Sequence, residues 1–339
     1  MKKLLLFIFV SLLFSCNSKK EADSILGLFS DDIEEIQSTT VQVNVLLGAP
    51  QQIHKIGSTL LVVDHQKDHL IHVIDLLTGE ARKILRPGRG PDELLPPILF
   101  SQIVNDTIVN ILERSTSTIV QYYLKDILYE EDPRIITKTI LQGYAESPQY
   151  TGEFYVAGGE HEEGKMLAFF DKQGRKTHEY IPFPEGGNRF SSESTRYAAY
   201  QSNIKISPDG KKLVQAGLYY DLFCFYNIDK DRLTEHKKYF FNDAKVKQSG
   251  ERIVPGPNTL INFLSLYPTR NSIYALYAGY EYGGKVEDRK YYILRFDWSG
   301  KPLKAYKLDN YMYSFWVDET GTELYGVSPR TSEILRYEL

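Results

Sequence analysis

Residues 86–97, RPGRGPDELLPP, hold two glycines and an arginine between prolines and follow them with two acids. The amides of Gly88 and Gly90, together with the Arg89 guanidinium, have the chemistry of an anion cradle, because successive backbone N–H groups can converge on negative charge. No helix follows, and at phosphate sites the helix supplies much of the field. The stretch therefore reads first as a corner between sheets, with Arg89 pairing with Asp92 or Glu93 or bracing a neighbouring element. Arg89 is kept as a candidate contact.

Other stretches carry chemistry of a different kind. Residues 189–202, RFSSESTRYAAYQS, gather Arg189, Arg196, Tyr197 and Tyr200. Rings that stack and guanidinium forks that hydrogen bond suit a sugar or a peptide, while the plainer reading is aromatic packing on a connection. Residues 157–165, AGGEHEEGK, set His161 among Glu160, Glu162 and Glu163, a mixture able to hold a divalent cation, but a solvated turn is preferred and no metal site or cofactor is assigned. In DHQKDHLIH, residues 64–72, His65, His69 and His72 straddle a hairpin; alternation should send them to different faces, most to solvent, and His54 falls in the same blade. No catalytic base is expected there. No Gly-x-Ser-x-Gly nucleophile motif occurs, and Cys224, in LFCFYN, reads as a buried core thiol.

These residues have to be positioned by strands. After residue 40 long helical periodicity is nearly absent, although residues 31–37 could form a turn or two of helix. A block recurs instead: apolar alternation, a turn, more alternation, then an acid and a polar or glycine turn. The acids are Asp75, Asp171, Asp229 and Asp297, and the separation of 96 residues between the first two leaves room for two blocks of about 48. The intervening block, STIVQYYLKDILYEEDPRIITKTI, has Tyr123-Leu124 in place of the acid and reads as the same hairpin. Repeated four-stranded units of this length indicate a β-propeller.

The count is six blades: residues 53–85, 98–141, 147–182, 197–241 and 260–308, with a sixth from residue 313. The sixth lacks one outer strand. TVQVNVLLG, residues 40–48, alternates cleanly and has no partner of its own, so its pairing beside residues 334–339 would complete the last blade and close the ring. The fold class is thus all-β, a six-bladed propeller closed by strands from both ends of the chain.

GRGPDE closely resembles the GRGPGE loop of TolB-like six-bladed propeller lipoproteins of Bacteroidetes, with Asp92 in place of the second loop glycine. The FD…G hairpin turns, and SPDGKKL at residues 207–213, resemble the turns of that family as well. The leader agrees: Met1-Lys2-Lys3 precedes an apolar run of about 11 residues, too short for the roughly 20 that span a bilayer. LFSC, ending at Cys16, resembles a lipobox. The expected organisation is a signal peptide over residues 1–15, a lipidated Cys16 and tether over 16–39, and one propeller over 40–339. The resemblance implies an outer membrane lipoprotein, on the periplasmic face or at the cell surface.

Composition agrees with this architecture. The chain has 25 tyrosines and 17 phenylalanines against 3 methionines, a balance suited to pleated surfaces. Its formal net charge of −4 gives no electrostatic reason to expect nucleic acid. The expected role is a non-enzymatic binding or scaffolding module for an envelope protein, peptide or glycan, joined to the membrane through its N-terminal lipid. The alternative is a lactonase-like or glycan-active hydrolase or lyase with its site at the channel mouth. Carboxylates and histidines converging there would favour the enzyme; aromatic rings and arginine would favour binding.

Overall fold

A computed structural model describes residues 22–29, 32–161, 164–184 and 190–339. The expected signal peptide and Cys16 lie outside the described residues, as does Arg189. Six antiparallel meanders occupy residues 50–84, 98–140, 144–182, 202–240, 260–308 and 314–338. Their first strands neighbour one another around a central channel, so each meander is a blade running from axis to rim.

Burial follows from that arrangement. Second strands such as Thr59–Asp64, Ile108–Glu113, Lys212–Gly217 and Glu323–Ser328 are buried along nearly their whole length, because neighbouring blades cover both faces. Outer strands are exposed, as in Arg232–Phe240. Six apolar clusters lie one between each pair of adjacent blades, the last joining Tyr325 and Val327 of blade six to Leu60 and Val62 of blade one. The core is therefore a ring, and it closes.

The recurring acids have a local cause. Oδ1 of Asp75, Asp171 and Asp297 accepts the amide two residues ahead, at Leu77, Gln173 and Ser299, which holds the third-to-fourth-strand turn. Asp209 does the same for Lys211 in the SPDGKKL turn, where Gly210 has a φ of +71°. Side-chain amides do related work at the axis. Gln52 bonds both the amide and the carbonyl of Phe100, and Gln102 bonds both groups of Tyr150. Each satisfies backbone groups on the channel-facing strand of the next blade.

Closure uses both ends of the chain, over a shorter ladder than expected. Thr39–Thr40 pairs antiparallel with Arg336 and Leu335, and the Val41 amide donates to the Ile334 carbonyl at 2.8 Å. Beyond that point Val41, Val43 and Val45 pack on the cluster between blades six and one instead of continuing the ladder. The cause is a change of partner: the Asn44 amide bonds Gly79 of blade one, and those of Gly48 and Ala49 bond the Asp64 carboxylate.

Three local expectations are corrected. Of residues 31–37, the described residues 32–37 do not form a helix; Ile33–Ile36 adds a fifth, parallel strand to blade five beside Ala305–Leu308, with Lys304 and Lys307 flanking Asp32 and Glu35. Contact with the ring begins earlier still, at Ile25 and Phe29, which are buried between blades four and five, within the stretch expected to be tether. In blade two the hairpin turn is replaced by helix α1 (Leu124–Tyr129), whose Leu124 and Ile127 enter the cluster between blades one and two. The blade-three-to-four connection holds α2 (Glu193–Ala199), so Tyr197 belongs to that helix, and blade four starts at Ser202.

Candidate functional site

In each blade the second-to-third-strand turn and the connection to the next blade emerge on one face, here the upper face. Tyr219 lies in such a turn of blade four, and Tyr282 and Arg289 in that of blade five; Gln201 and Tyr313 end blade-to-blade connections. Together with Tyr280 they line a cavity of about 290 Å³. Asn203, Leu264 and Tyr313 line both this cavity and the central channel, so the cavity is the channel's mouth.

The side chains there are arranged for recognition. The Arg289 guanidinium lies 4.5 Å over the Tyr280 ring and donates from Nη2 to the Gly284 carbonyl at 3.2 Å, while its buried Nε has no partner. Stacking fixes the plane of the fork and leaves donors to offer. Tyr282 and Tyr313 are exposed at 48% and 41%, so their ring faces are open to a ligand. Burial raises the Tyr219 hydroxyl above its ordinary pKa, helped by Tyr282 and Tyr313, so it is a neutral donor and acceptor at physiological pH.

A buried carboxylate supports this mouth. Glu146 sits beside a register shift in the first strand of blade three, a geometry that re-aims side chains. It accepts from Arg114 Nε at 2.9 Å, from the Tyr197 hydroxyl at 2.6 Å, from Gln201 Nε2 at 3.0 Å, and from Tyr144. Burial alone would raise its pKa, but the Arg114 charge and the two phenols outweigh that, and it lies below the usual carboxylate value. Glu146 therefore stays ionised and anchors Gln201 at the cavity wall.

The channel below is lined by the first strands of all six blades and encloses about 110 Å³. Lys205 lies within it, Nζ donating to the Ser101 carbonyl at 2.8 Å, and burial pushes its pKa down to about 8. Burial, with the Lys205 charge, holds His54 down to about 4.

The residues singled out from sequence fall elsewhere. Tyr197 and Tyr200 are buried, the first bonded to Glu146 and the second to Asp243 Oδ1 at 2.8 Å. Arg196 is half-exposed, paired with Glu193 at 3.0 Å and set 5.9 Å from the Phe183 ring centre. Arg89 is exposed at a loop tip. The amides around Arg89 serve the chain itself: Gly90 donates to Glu93 Oε2 at 2.8 Å and Gly88 to the Leu94 carbonyl at 3.0 Å. The anion in the GRGPDE loop is thus the side chain of Glu93, and a Cβ at Gly88 would fall 1.9 Å from it.

The histidines of blade one are a further correction, since His69 and His72 are buried rather than turned to solvent. Their Nε2 atoms lie 2.9 Å apart, and Asp64 Oδ2 is 3.3 Å from His72 Nε2. His72 belongs to the third strand, Ile71–Asp75, buried between blades, and His69, in the turn before it, has Nδ1 2.7 Å from Asp68 Oδ1. His161 is buried against the Ala157 carbonyl, and Glu162 and Glu163 lie outside the described residues. Among the described residues no three His, Cys, Asp or Glu side chains are grouped to hold a metal ion. Cys224 is buried, its thiol raised to about 12 chiefly by burial.

Tyr219, Tyr280, Tyr282, Tyr313 and Arg289 were not singled out from sequence. Position within the repeat was the available signal: GLYYDL and GYEYGG both end a second strand, and so point to the same face.

The fold has solved counterparts. A Bacteroides fragilis protein whose name describes it as exported superimposes with a TM-score of 0.56 at 11% identity, over 90% of this chain and 98% of its own. The β-propeller domain of Cps50 (Swd1) from Myceliophteria thermophila does so with a TM-score of 0.52 at 11% identity, over 89% and 99%. At such identity the likeness is one of fold. No curated protein matches the sequence. The family model described as TolB-like 6-blade propeller-like matches residues 28–320, nearly the whole ring. The chain belongs to the TolB-like six-bladed propeller family.

Proposed function

We propose that this propeller is a binding module of the cell envelope, held at the outer membrane through a lipid on Cys16, that takes a peptide or glycan at the channel mouth. The observation that carries the reading is the upper-face cavity, where four tyrosines and a stacked arginine meet at the junction of blades four, five and six. Aromatic faces and a fixed guanidinium fork supply contact area with little side-chain entropy to lose. The six interlocked blade clusters make the support rigid, so loops at the mouth need little ordering on binding. Rings and arginine, rather than converging acids and imidazoles, surround the mouth, which favours recognition over hydrolysis. Attachment is assigned to the lipid on the strength of the lipobox-like LFSC that ends at Cys16.

The test is a glycan and peptide array probed with the wild-type protein, Tyr280→Ala, Arg289→Ala and Arg89→Ala. Binding that survives Arg89→Ala and is lost in the two mouth variants supports the reading. An array without hits, or hits indifferent to the mouth variants, refutes it. For the anchor, Cys16→Ala should move the protein from the membrane fraction to the soluble one.

A further inference from the structure

Among the described residues, Lys205 is the only charged side chain lining the channel. Its single acceptor, the Ser101 carbonyl, is also met by Gln149 Nε2 at 3.2 Å. An ammonium has three donors, so two are left without a protein acceptor among the described residues. Among the described residues no carboxylate bears on it, and the one ionisable group felt across the axis, His54, is held neutral by burial and by Lys205 itself. Lys205 is half-buried in the channel wall, and a cation so enclosed without a counter-charge is costly to keep. What would offset that cost is an anion that arrives with a ligand.

The route is set by the strand. Asn203 and Lys205 are two residues apart on Ser202–Ile206, so alternation turns both to the channel, about 7 Å apart along the strand. Asn203 also lines the mouth cavity, and Lys205 lies one step deeper. The upper cavity is large enough for a sugar ring, with tyrosine faces for its apolar side and the Gln201 and Asn203 amides for its hydroxyls. The narrower channel admits a head group only. One ammonium suits a carboxylate, which carries one charge, better than a phosphate, whose oxygens would need more donors.

We infer that mouth and channel form one site for an acidic sugar, its ring held among the tyrosines and its carboxylate drawn down to Lys205. This rests on the binding function proposed above and names the class of ligand.

The test is calorimetric titration of galacturonate oligomers, neutral galactose oligomers and a blocked tripeptide with a free terminal carboxylate. Wild-type protein is compared with Lys205→Met and Lys205→Gln, each first shown to unfold cooperatively. Wild type should bind the acidic oligomers at least about tenfold more tightly than the neutral ones, as a charge-assisted hydrogen bond implies, and both variants should lose that preference. Equal binding of acidic and neutral sugars, or a preference kept by both variants, overturns the acidic-sugar inference and leaves the binding function standing. Binding of the tripeptide alone does the same. Binding of none of the three, with an empty array, removes both.

Discussion

The side-chain amide of Gln52 spans the gap between blades one and two, accepting from the Phe100 amide at 2.6 Å and donating to its carbonyl at 3.4 Å. Gln102 and Tyr150 repeat the relationship one blade on, at 2.7 and 3.2 Å. First strands have no neighbour on their axial side, and these amides supply the missing partners. Gln52→Leu or Gln102→Leu should therefore lower stability by about 1 kcal/mol each, the net value of such bonds where channel water can partly replace them. Urea denaturation checks this, and an unchanged midpoint would assign the bonds no role.

Glu146 should be the most expensive single loss at the mouth. Glu146→Ala leaves the Tyr197 phenol buried without a partner and frees Arg114, at a cost of about 3 kcal/mol, the lower end for broken buried pairs because Arg114 reaches solvent. Tyr197→Phe should cost about 1–2 kcal/mol. Because the folded-state pKa of Glu146 is lowered, its contribution is complete above the ordinary value of 4.5 and is lost as pH falls through the native one. Denaturation of both variants at pH 7 and pH 4 should show their deficits shrinking in acid.

Asp221 works in the opposite sense. Burial raises its carboxyl to about 6, opposed only by the Ile25 amide at 3.3 Å, and Oδ1 has no partner. Between the ordinary value of 3.8 and about 6 the unfolded chain ionises first, so stability from this group falls as pH rises and stays low above that window. Asp221→Asn keeps an acceptor for Ile25 and should stabilise by about 2 kcal/mol at pH 7, with the gain vanishing toward pH 4. Thermal melts at the two pH values measure it.

Ring closure is open to a covalent test. Thr39 and Arg336 are direct partners in the closing ladder. Thr39→Cys combined with Arg336→Cys should form a disulfide under mild oxidation and raise stability by roughly 2–4 kcal/mol, reversed by reductant. Failure to cross-link would place the termini apart and contradict the closed ring.

Much of the ring could be read from residues alone. Hairpin acids such as Asp75 and Asp297 act within a few residues of themselves, so their turns are local and visible in sequence. The parallel strand Ile33–Ile36 was not visible, because its partner lies some 270 residues away and a four-residue segment has no periodicity to betray it. The site was less legible for a related reason. Arg196 and Tyr197 are adjacent in sequence and looked like one surface, whereas the mouth is assembled from turns of three blades. The buried His69 and His72 show the same limit: His72 lies in a strand covered by neighbouring blades and meets both His69 and Asp64, contacts that no spacing within the segment reveals.

The central claim is that ligand occupies the channel mouth, and hydroxyl-radical footprinting with and without the strongest array ligand tests it most directly. Tyr282 and Tyr313, exposed at 48% and 41%, should be oxidised in the free protein and protected in the complex, while Tyr129, at 79% on the opposite face, should not change. Protection confined to Tyr129 or the outer strands, with Tyr282 and Tyr313 oxidised equally in both states, would contradict the account.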